Sequence, residues 1–378
     1  MMKAHHPGLY AAPHAAPHAA PHAAPHAGPH AGPHAGPHAR VHRKTVIRFA
    51  LVLTLIVGGL VGLLAGCSEG PPVMRIAEQH GLAYLPLAIM QVEGYLEEEL
   101  EAAGEASTRV EWIRTGNAST IREAMLADRL HIGFMGIPPF LIGLDRGTEW
   151  RLVTGLSEAP LGLVTLREGY RTLDDLAPRD RVALPQPGSI QHILLAMAAE
   201  REFGDPRRFD DQLVSMGHPE GLSALLAGRD VAAHFTSPPF LSDALSEPDA
   251  TLLLEGREAF GGRFTFIAGV VAPEWPRERR EEVRLQAFLS ALDRSISRAR
   301  TLQEQLRDES AAGDPDQLPA GLAEFYTIEA ATLRRQLQFP GMVYTREVHG
   351  VERFVEHMDR YGYVDRNNIT TYRSEAVE

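Results

Sequence analysis

The sequence predicts an α/β protein built from two related lobes that face one cleft. The first observation behind this is an internal repeat. Ala124-Met125-Leu126-Ala127-Asp128-Arg129 returns 100 residues later as Ala224-Leu225-Leu226-Ala227-Gly228-Arg229, and Pro138-Pro139-Phe140-Leu141 returns as Pro238-Pro239-Phe240-Leu241. Eight of the 18 aligned positions are identical; Ala and Leu matches are common in any helix, but a shared Pro-Pro-Phe-Leu after a strand is not. The second observation is an alternation of short apolar strands with helical spacing, the rhythm of a βαβα chain. Corresponding strand-to-helix turns in two such lobes would meet across a cleft, and open α/β sheets bind ligands beyond the carboxyl ends of their strands.

Taken in order, residues 11–39 repeat Ala-Ala-Pro-His and then Ala-Gly-Pro-His. Proline at every fourth position forbids a helix, and the lack of large apolar groups forbids a core, so residues 1–40 read as disordered. The histidines from His14 to His38 suggest metal binding, but they precede an export signal that removes them from the finished chain. That signal spans residues 41–66: a basic stretch from Arg40 to Arg48, an apolar run from Phe49 to Leu64, and Leu64-Ala65-Gly66-Cys67. It resembles a bacterial lipoprotein signal, in which the cysteine is acylated and becomes the first residue of the mature chain. An uncut anchor helix is the competing reading, and the run is shorter than the roughly 20 residues a spanning helix needs. Val41 to Cys67 is already a full signal, which makes Val41 an alternative start and leaves 1–40 untranslated.

Cleavage removes five basic residues and no acid, taking the net charge from −12 to −17. Such a chain does not bind nucleic acid or anionic lipid by charge. No lysine remains after residue 66, which excludes Schiff-base chemistry and a P-loop. Cys67 is the one cysteine of the sequence, so no disulfide forms within the chain.

Past a short tether, Val73 to Glu78 alternates as a first strand, Pro86 to Leu100 reads as an amphipathic helix, and Arg109 to Ile113 alternates again. Ala118 to Arg129 has helical spacing, and a strand at His131, a helix at Pro138 and a strand at Trp150 to Thr154 follow. The run Leu161 to Leu166 leads to a second series. Its members are the strand Arg181 to Leu184, the helix Ile190 to Glu200, the strand Gln212 to Met216, the helix Glu220 to Ala227, the strand at Val231, the helix at Pro238 and the strand Thr251 to Leu254. Phe264 to Val271 reads as a returning strand. Helices then dominate over Glu281–Arg307, Leu318–Leu337 and Val348–Tyr361. The simplest topology gives residues 73–160 with 262–378 to lobe one and residues 161–261 to lobe two. The chain then crosses between lobes twice, and Gly155, Gly162, Gly261 and Gly262 are available to absorb backbone change at a hinge.

Several landmarks resemble one family. A signal ending at Cys67, Glu78-Gln79-His80-Gly81 closing the first strand, Asp174-Asp175-Leu176 before Arg181-Val182-Ala183-Leu184, and Gly188-Ser189 opening a helix are similar to the substrate-binding proteins of ABC importers. The likeness is to the nitrate, taurine and aliphatic sulfonate type and covers roughly Val73 to Arg300. It implies a two-lobe type II periplasmic-binding-protein fold with two interlobe crossovers, here with extra C-terminal helices. It also implies closure around a small organic anion, such as a sulfonate or carboxylate, and delivery to an ABC permease by a monomer lipid-anchored on the extracytoplasmic face of the cell membrane.

The resemblance places Gly188 and Ser189 at the ligand's acid group. A helix start supplies free N–H donors and a positive dipole end, and serine adds a hydroxyl, although the same serine also serves as a plain cap. Met135-Gly136-Ile137 and Thr236-Ser237 hold the equivalent turns of the two repeats; Gln79, His80 and Tyr84 end the first strand, Asn117 opens a helix, and His192 lies one turn inside another. His131, His218 and His234 read as structural before they read as contacts. No spacing of histidines suggests a metal site, and the sequence asks for no cofactor.

Enzyme readings fare poorly. The sequence has no Gly-x-Ser-x-Gly elbow, no His-Glu-x-x-His, no dinucleotide fingerprint and no catalytic cysteine. Pyrimidine-forming enzymes of thiamine synthesis share the implied fold but rely on a cysteine-rich segment absent here, and menaquinone-pathway enzymes of that fold lack a lipoprotein signal. A pyrimidine-binding protein and a ligand-sensing lipoprotein that docks on a membrane receptor stay open beside import.

Overall fold

Eleven strands can be followed through the computed structural model, which describes residues 70–228, 230–307 and 318–369. The expectations for residues 1–40, the signal at 41–66 and lipidation at Cys67 lie outside the described residues. In chain order the strands are β1 Val73–Gln79, β2 Arg109–Thr115, β3 Ile132–Met135, β4 Arg151–Glu158, β5 Gly162–Thr165, β6 Val182–Leu184, β7 Leu213–Ser215, β8 Ala233–Thr236, β9 Thr251–Glu255, β10 Ile267–Val271 and β11 Val343–Tyr344. They form one sheet of order β11-β4-β10-β3-β1-β2 and a second of order β7-β6-β8-β5-β9.

Reversed, the first sheet repeats the second strand for strand, apart from the added β11. In the first, β1 runs parallel to β2 and β3, while β10 lies antiparallel between β3 and β4. In the second, β6 runs parallel to β7 and β8, while β5 lies antiparallel between β8 and β9. The antiparallel strand of each sheet is the one by which the chain arrives from the other. The sequence repeat thus marks β3 and β8 at the same place in two equivalent sheets. Every residue of β3 and β8 is buried, as expected of strands covered on both faces.

Two crossings join the lobes, β4 to β5 and β9 to β10. Glu158, 1% exposed at the end of β4, ties them together through Arg257 at 3.2 Å and Arg263 at 2.7 Å. Gly155 is there for a different reason than hinge freedom. A Cβ on it would lie 2.4 Å from Glu347 O, so only glycine lets the C-terminal segment cross β4 this closely.

Four of the differences from the sequence reading have a reason in the backbone. The helix expected over Pro86–Leu100 is two, Leu85–Glu93 and Tyr95–Ala102, because Gly94 takes a left-handed conformation at φ 71. Leu318–Leu337 likewise resolves into Leu322–Tyr326 and Ala330–Leu337, with Thr327 left-handed at φ 58 between them. The returning strand begins only at Ile267, since the N–H groups of Thr265 and Phe266 bond to His349 O and Ser157 O. In the first repeat the prolines sit inside the first turn of helix Ile137–Asp145. In the second they precede helix Phe240–Leu245 across a cis peptide, and Pro238 O accepts from the Leu82 N–H of the other lobe.

The long helix Arg279–Arg307 closes the first lobe from outside. Leu285, Phe288, Leu292, Ile296 and Leu302 recur at three- to six-residue steps and are all buried, on a helix that packs against helices Leu85–Glu93 and Tyr95–Ala102. Each such side chain contributes about 1.5–3 kcal/mol by leaving water. Arg284 fixes the register through a buried bond to Glu105 at 2.8 Å. Among the described residues no helix is long and apolar enough to cross a membrane.

Candidate ligand-binding site

The carboxyl ends of the parallel strands of both sheets converge on one interlobe cleft. From the first lobe come Gln79 and His80 at the end of β1 and Gly136 after β3; from the second come Gln186 and Ser189 after β6 and His218 after β7. Two contacts draw the lobes together here. Leu82 N–H donates to Pro238 O at 3.1 Å, and Ser119 N–H, in the first turn of helix Ala118–Leu126, donates to Gln186 Oε1 at 3.0 Å. The lobes are closed, and the space left in the cleft is about 30 Å³, room for little more than a water.

Of the residues expected to touch a ligand, Gln79, His80, Tyr84, Gly136 and Ser189 line this space. The others stand behind it. Asn117 caps helix Ala118–Leu126 by accepting from Thr120 N–H at 3.1 Å. Met135 and Ile137 are fully buried in core packing. Gly188 donates its N–H to His192 Nδ1 at 2.9 Å, while His192 Nε2 faces Asp210 Oδ1 at 3.0 Å. Both ring nitrogens of His192 are thereby engaged in holding the loop. Thr236 Oγ1 lies 2.8 Å from His218 Nδ1, and Ser237 is buried.

Ser189 is both cap and lining. Its Oγ accepts from His192 N–H at 3.3 Å, the bond of an N-cap serine, and its own N–H goes to Gln186 O at 3.1 Å.

Gln186 and Gln191 are lining residues that the sequence reading passed over, and His218, which it read as structural first, lines the cleft as well. The signal was present as His218-Pro219 and Pro185-Gln186, polar residues beside proline at strand ends, but it resembles any loop. Gln191 Nε2 lies 3.5 Å from His218 Nε2, and an amide NH₂ only donates, which assigns the ring proton to Nδ1 and its bond to Thr236 Oγ1. His218 is stacked on Phe240 and sits 5.8 Å from the ring of His234. Burial, and then the nearby His80, lower its pKa to about 4. His234 is held well below the ordinary value by burial and by His218, and neither of its ring nitrogens has a partner. His80 is lowered by burial and by Arg114. The cleft therefore presents neutral imidazoles and amides at neutral pH.

A larger cavity of about 290 Å³ adjoins the cleft and shares Gln79, His80 and Tyr84 with it. Its other walls are Arg114 from β2, Phe240 and Asp243 from the second lobe, and Phe325, Tyr326 and Gln336 from the C-terminal helices. Of these six, Phe240 is expected from the sequence as an apolar neighbour of the ligand, and the other five were not legible as site residues. Among the described residues no three His, Asp or Glu side chains are placed to hold a metal ion.

No protein-family model and no curated protein sequence matches the chain. Solved structures match it in fold. The periplasmic aliphatic sulphonate binding protein SsuA from Escherichia coli superposes with a TM-score of 0.56 at 19% identity, over 80% of this chain and 95% of that one. The alkanesulfonate-binding protein SsuA from Xanthomonas axonopodis pv. citri, bound to MOPS, gives 0.57 at 18% identity over 82% and 99%. The periplasmic nitrate-binding protein NrtA from Synechocystis PCC 6803 gives 0.57 at 12% identity over 78% and 82%. With its two equivalent sheets and paired crossings, the chain has the two-lobe fold of these binding proteins, as its sequence resemblance implied.

Proposed function

We propose that the chain is an extracytoplasmic, lipid-anchored solute-binding protein that takes a small organic solute between its lobes and hands it to an ABC permease. The observation that carries this reading is the meeting of two equivalent sheets, carboxyl ends inward, at a cleft bridged by two crossings. The export signal ending at Cys67 supports the location, and the names of the fold neighbours support the class. The sulfonate or carboxylate that the sequence resemblance implies needs free donors at Gly188 and Ser189. Both N–H groups are taken within the chain here, by His192 Nδ1 and Gln186 O, so the proposal stops at a small organic solute.

Two measurements test it. A thermal-shift screen across small organic ions and heterocycles yields a ligand that raises Tm, because a ligand bound only by the folded state stabilises it. Small-angle scattering then compares the chain with and without that ligand, and a radius of gyration that falls to the value expected of the closed lobes supports the reading. An unchanged envelope at saturating ligand counts against a closing cleft. For the anchor, Cys67→Ser abolishes labelling by a fatty-acid analogue, and continued labelling removes that part of the proposal.

A further inference from the structure

The larger cavity has a sign and a surface that together specify a kind of solute. Four aromatic side chains, Tyr84, Phe240, Phe325 and Tyr326, contribute to its walls. Beside the imidazole of His80, its lining holds one guanidinium, Arg114, and one aspartate, Asp243. Arg114 is answered within the protein: its Nε and Nη2 donate to Glu78 Oε1 at 3.1 and 2.8 Å, and its guanidinium lies 4.3 Å over the Phe325 ring. Glu78 is itself 2% exposed. Asp243 is hydrogen-bonded by a neutral group, both of its oxygens accepting from Gln336 Nε2, at 3.2 and 3.1 Å.

The surrounding charges do not change this balance. His80 is held toward its neutral form by burial and by Arg114, and Glu220, near it, adds negative charge. Arg335 acts on Asp243 from the exposed side of helix Ala330–Leu337 and is no part of the lining. Burial raises the pKa of Asp243 against the lowering effects of the Gln336 bond and of Arg335. Glu78 Oε2 and Tyr326 Oη, beside the same cavity, are buried with no hydrogen-bond partner.

From these placements, and resting on the solute-binding reading above, we infer that the larger cavity takes an organic cation: an ammonium group on an apolar or aromatic body, with Asp243 as its counter-ion and ring faces around it. A carboxylate and aromatic faces attract a cation together, the rings through their quadrupoles. An anion of the same shape meets Asp243 with no unanswered cation among the lining residues. About 290 Å³ suits a body of roughly the size of a phenylethyl group, at the small end of ligand pockets.

The test uses three probes with one body: 2-phenylethylammonium, 2-phenylethanol and 2-phenylethanesulfonate, each titrated by calorimetry and thermal shift against the unmodified protein and Asp243→Asn. The ammonium binds at least ten-fold more tightly than the alcohol, the sulfonate binds least, and Asp243→Asn removes the preference for ammonium over alcohol. The ranking on the unmodified protein stands whatever the variant does to folding, and unliganded melting of the variant shows whether its own result is interpretable. A sulfonate that binds best and compacts the protein in scattering overturns the cation assignment and leaves the solute-binding reading standing. Failure of all three probes, with no solute in the wider screen raising Tm, overturns both. Retention of the ammonium preference in a folded Asp243→Asn moves the counter-ion away from Asp243 and refutes the inference.

Discussion

Acidification destabilises this fold through His218, and the size of the effect follows from its surroundings. The ring is enclosed by Phe240, His234 and Thr236. Its pKa is near 6.5 in the unfolded chain and about 4 in the folded one, with burial the larger cause and His80 the second. Above pH 6.5 the ring is neutral in both states and contributes nothing. As the pH falls through 6.5 only the unfolded state takes up the proton, so stability drops, and the loss levels off below pH 4, where both states are protonated. The full loss is roughly 3 kcal/mol, of which about 2 kcal/mol has occurred by pH 5. Substitution His218→Gln keeps a group able to bond Thr236 and removes the proton. Urea unfolding at pH 7.5 and pH 5 measures the change: the unmodified chain loses about 2 kcal/mol more than the variant between the two conditions. His80, His131, His234 and His357 are also lowered first by burial, which remains in both chains and cancels in the comparison; the smaller lowering of His234 by His218 is lost with the substitution and adds to the same difference. Parallel pH profiles for the two chains would refute the assignment of a half-buried, neutral His218.

Three further outcomes are expected. Gly221→Ala places a Cβ 2.5 Å from His234 Nε2, inside a helix packed on the strand that carries His234, and costs about 1–3 kcal/mol in thermal unfolding; a neutral result means that helix His218–Ala227 shifts freely. Glu158→Gln weakens the charged bonds to Arg257 and Arg263 that join the two crossings, lowering stability by about 2 kcal/mol and broadening the scattering envelope of the unliganded protein. Ser189→Ala removes the acceptor for His192 N–H and lowers unliganded stability by about 1 kcal/mol. If it leaves the affinity of the best solute untouched, Ser189 is a cap alone; a further loss of affinity assigns its hydroxyl to the ligand.

The sequence by itself determined the two-lobe α/β architecture, because burial periodicity and a 100-residue repeat are local properties that survive without knowing what packs where. Proline in the first turn of helix Ile137–Asp145 and serine at the start of Ile190–Phe203 were legible for the same reason, since capping is decided within one turn of chain. It also brought Gln79, His80, Tyr84, Gly136 and Ser189 to the cleft, as strand ends must converge where two such sheets face each other. Which donors stay free was beyond it. Gly188 and Ser189 look open to an anion in the sequence, and only the fold shows His192 Nδ1 and Gln186 O in front of their N–H groups. The exchange of roles between His192 and His218 is of the same kind: one ring is spent bracing a loop, the other reaches the cleft, and nothing in their neighbours along the chain distinguishes them. The larger cavity was wholly a tertiary decision. Arg114, Asp243 and Gln336 are separated by more than 90 residues at each step, and their net sign depends on Glu78 neutralising the arginine across β1 and β2. Charge balance in a cavity is a sum over neighbours in space, which sequence order does not record.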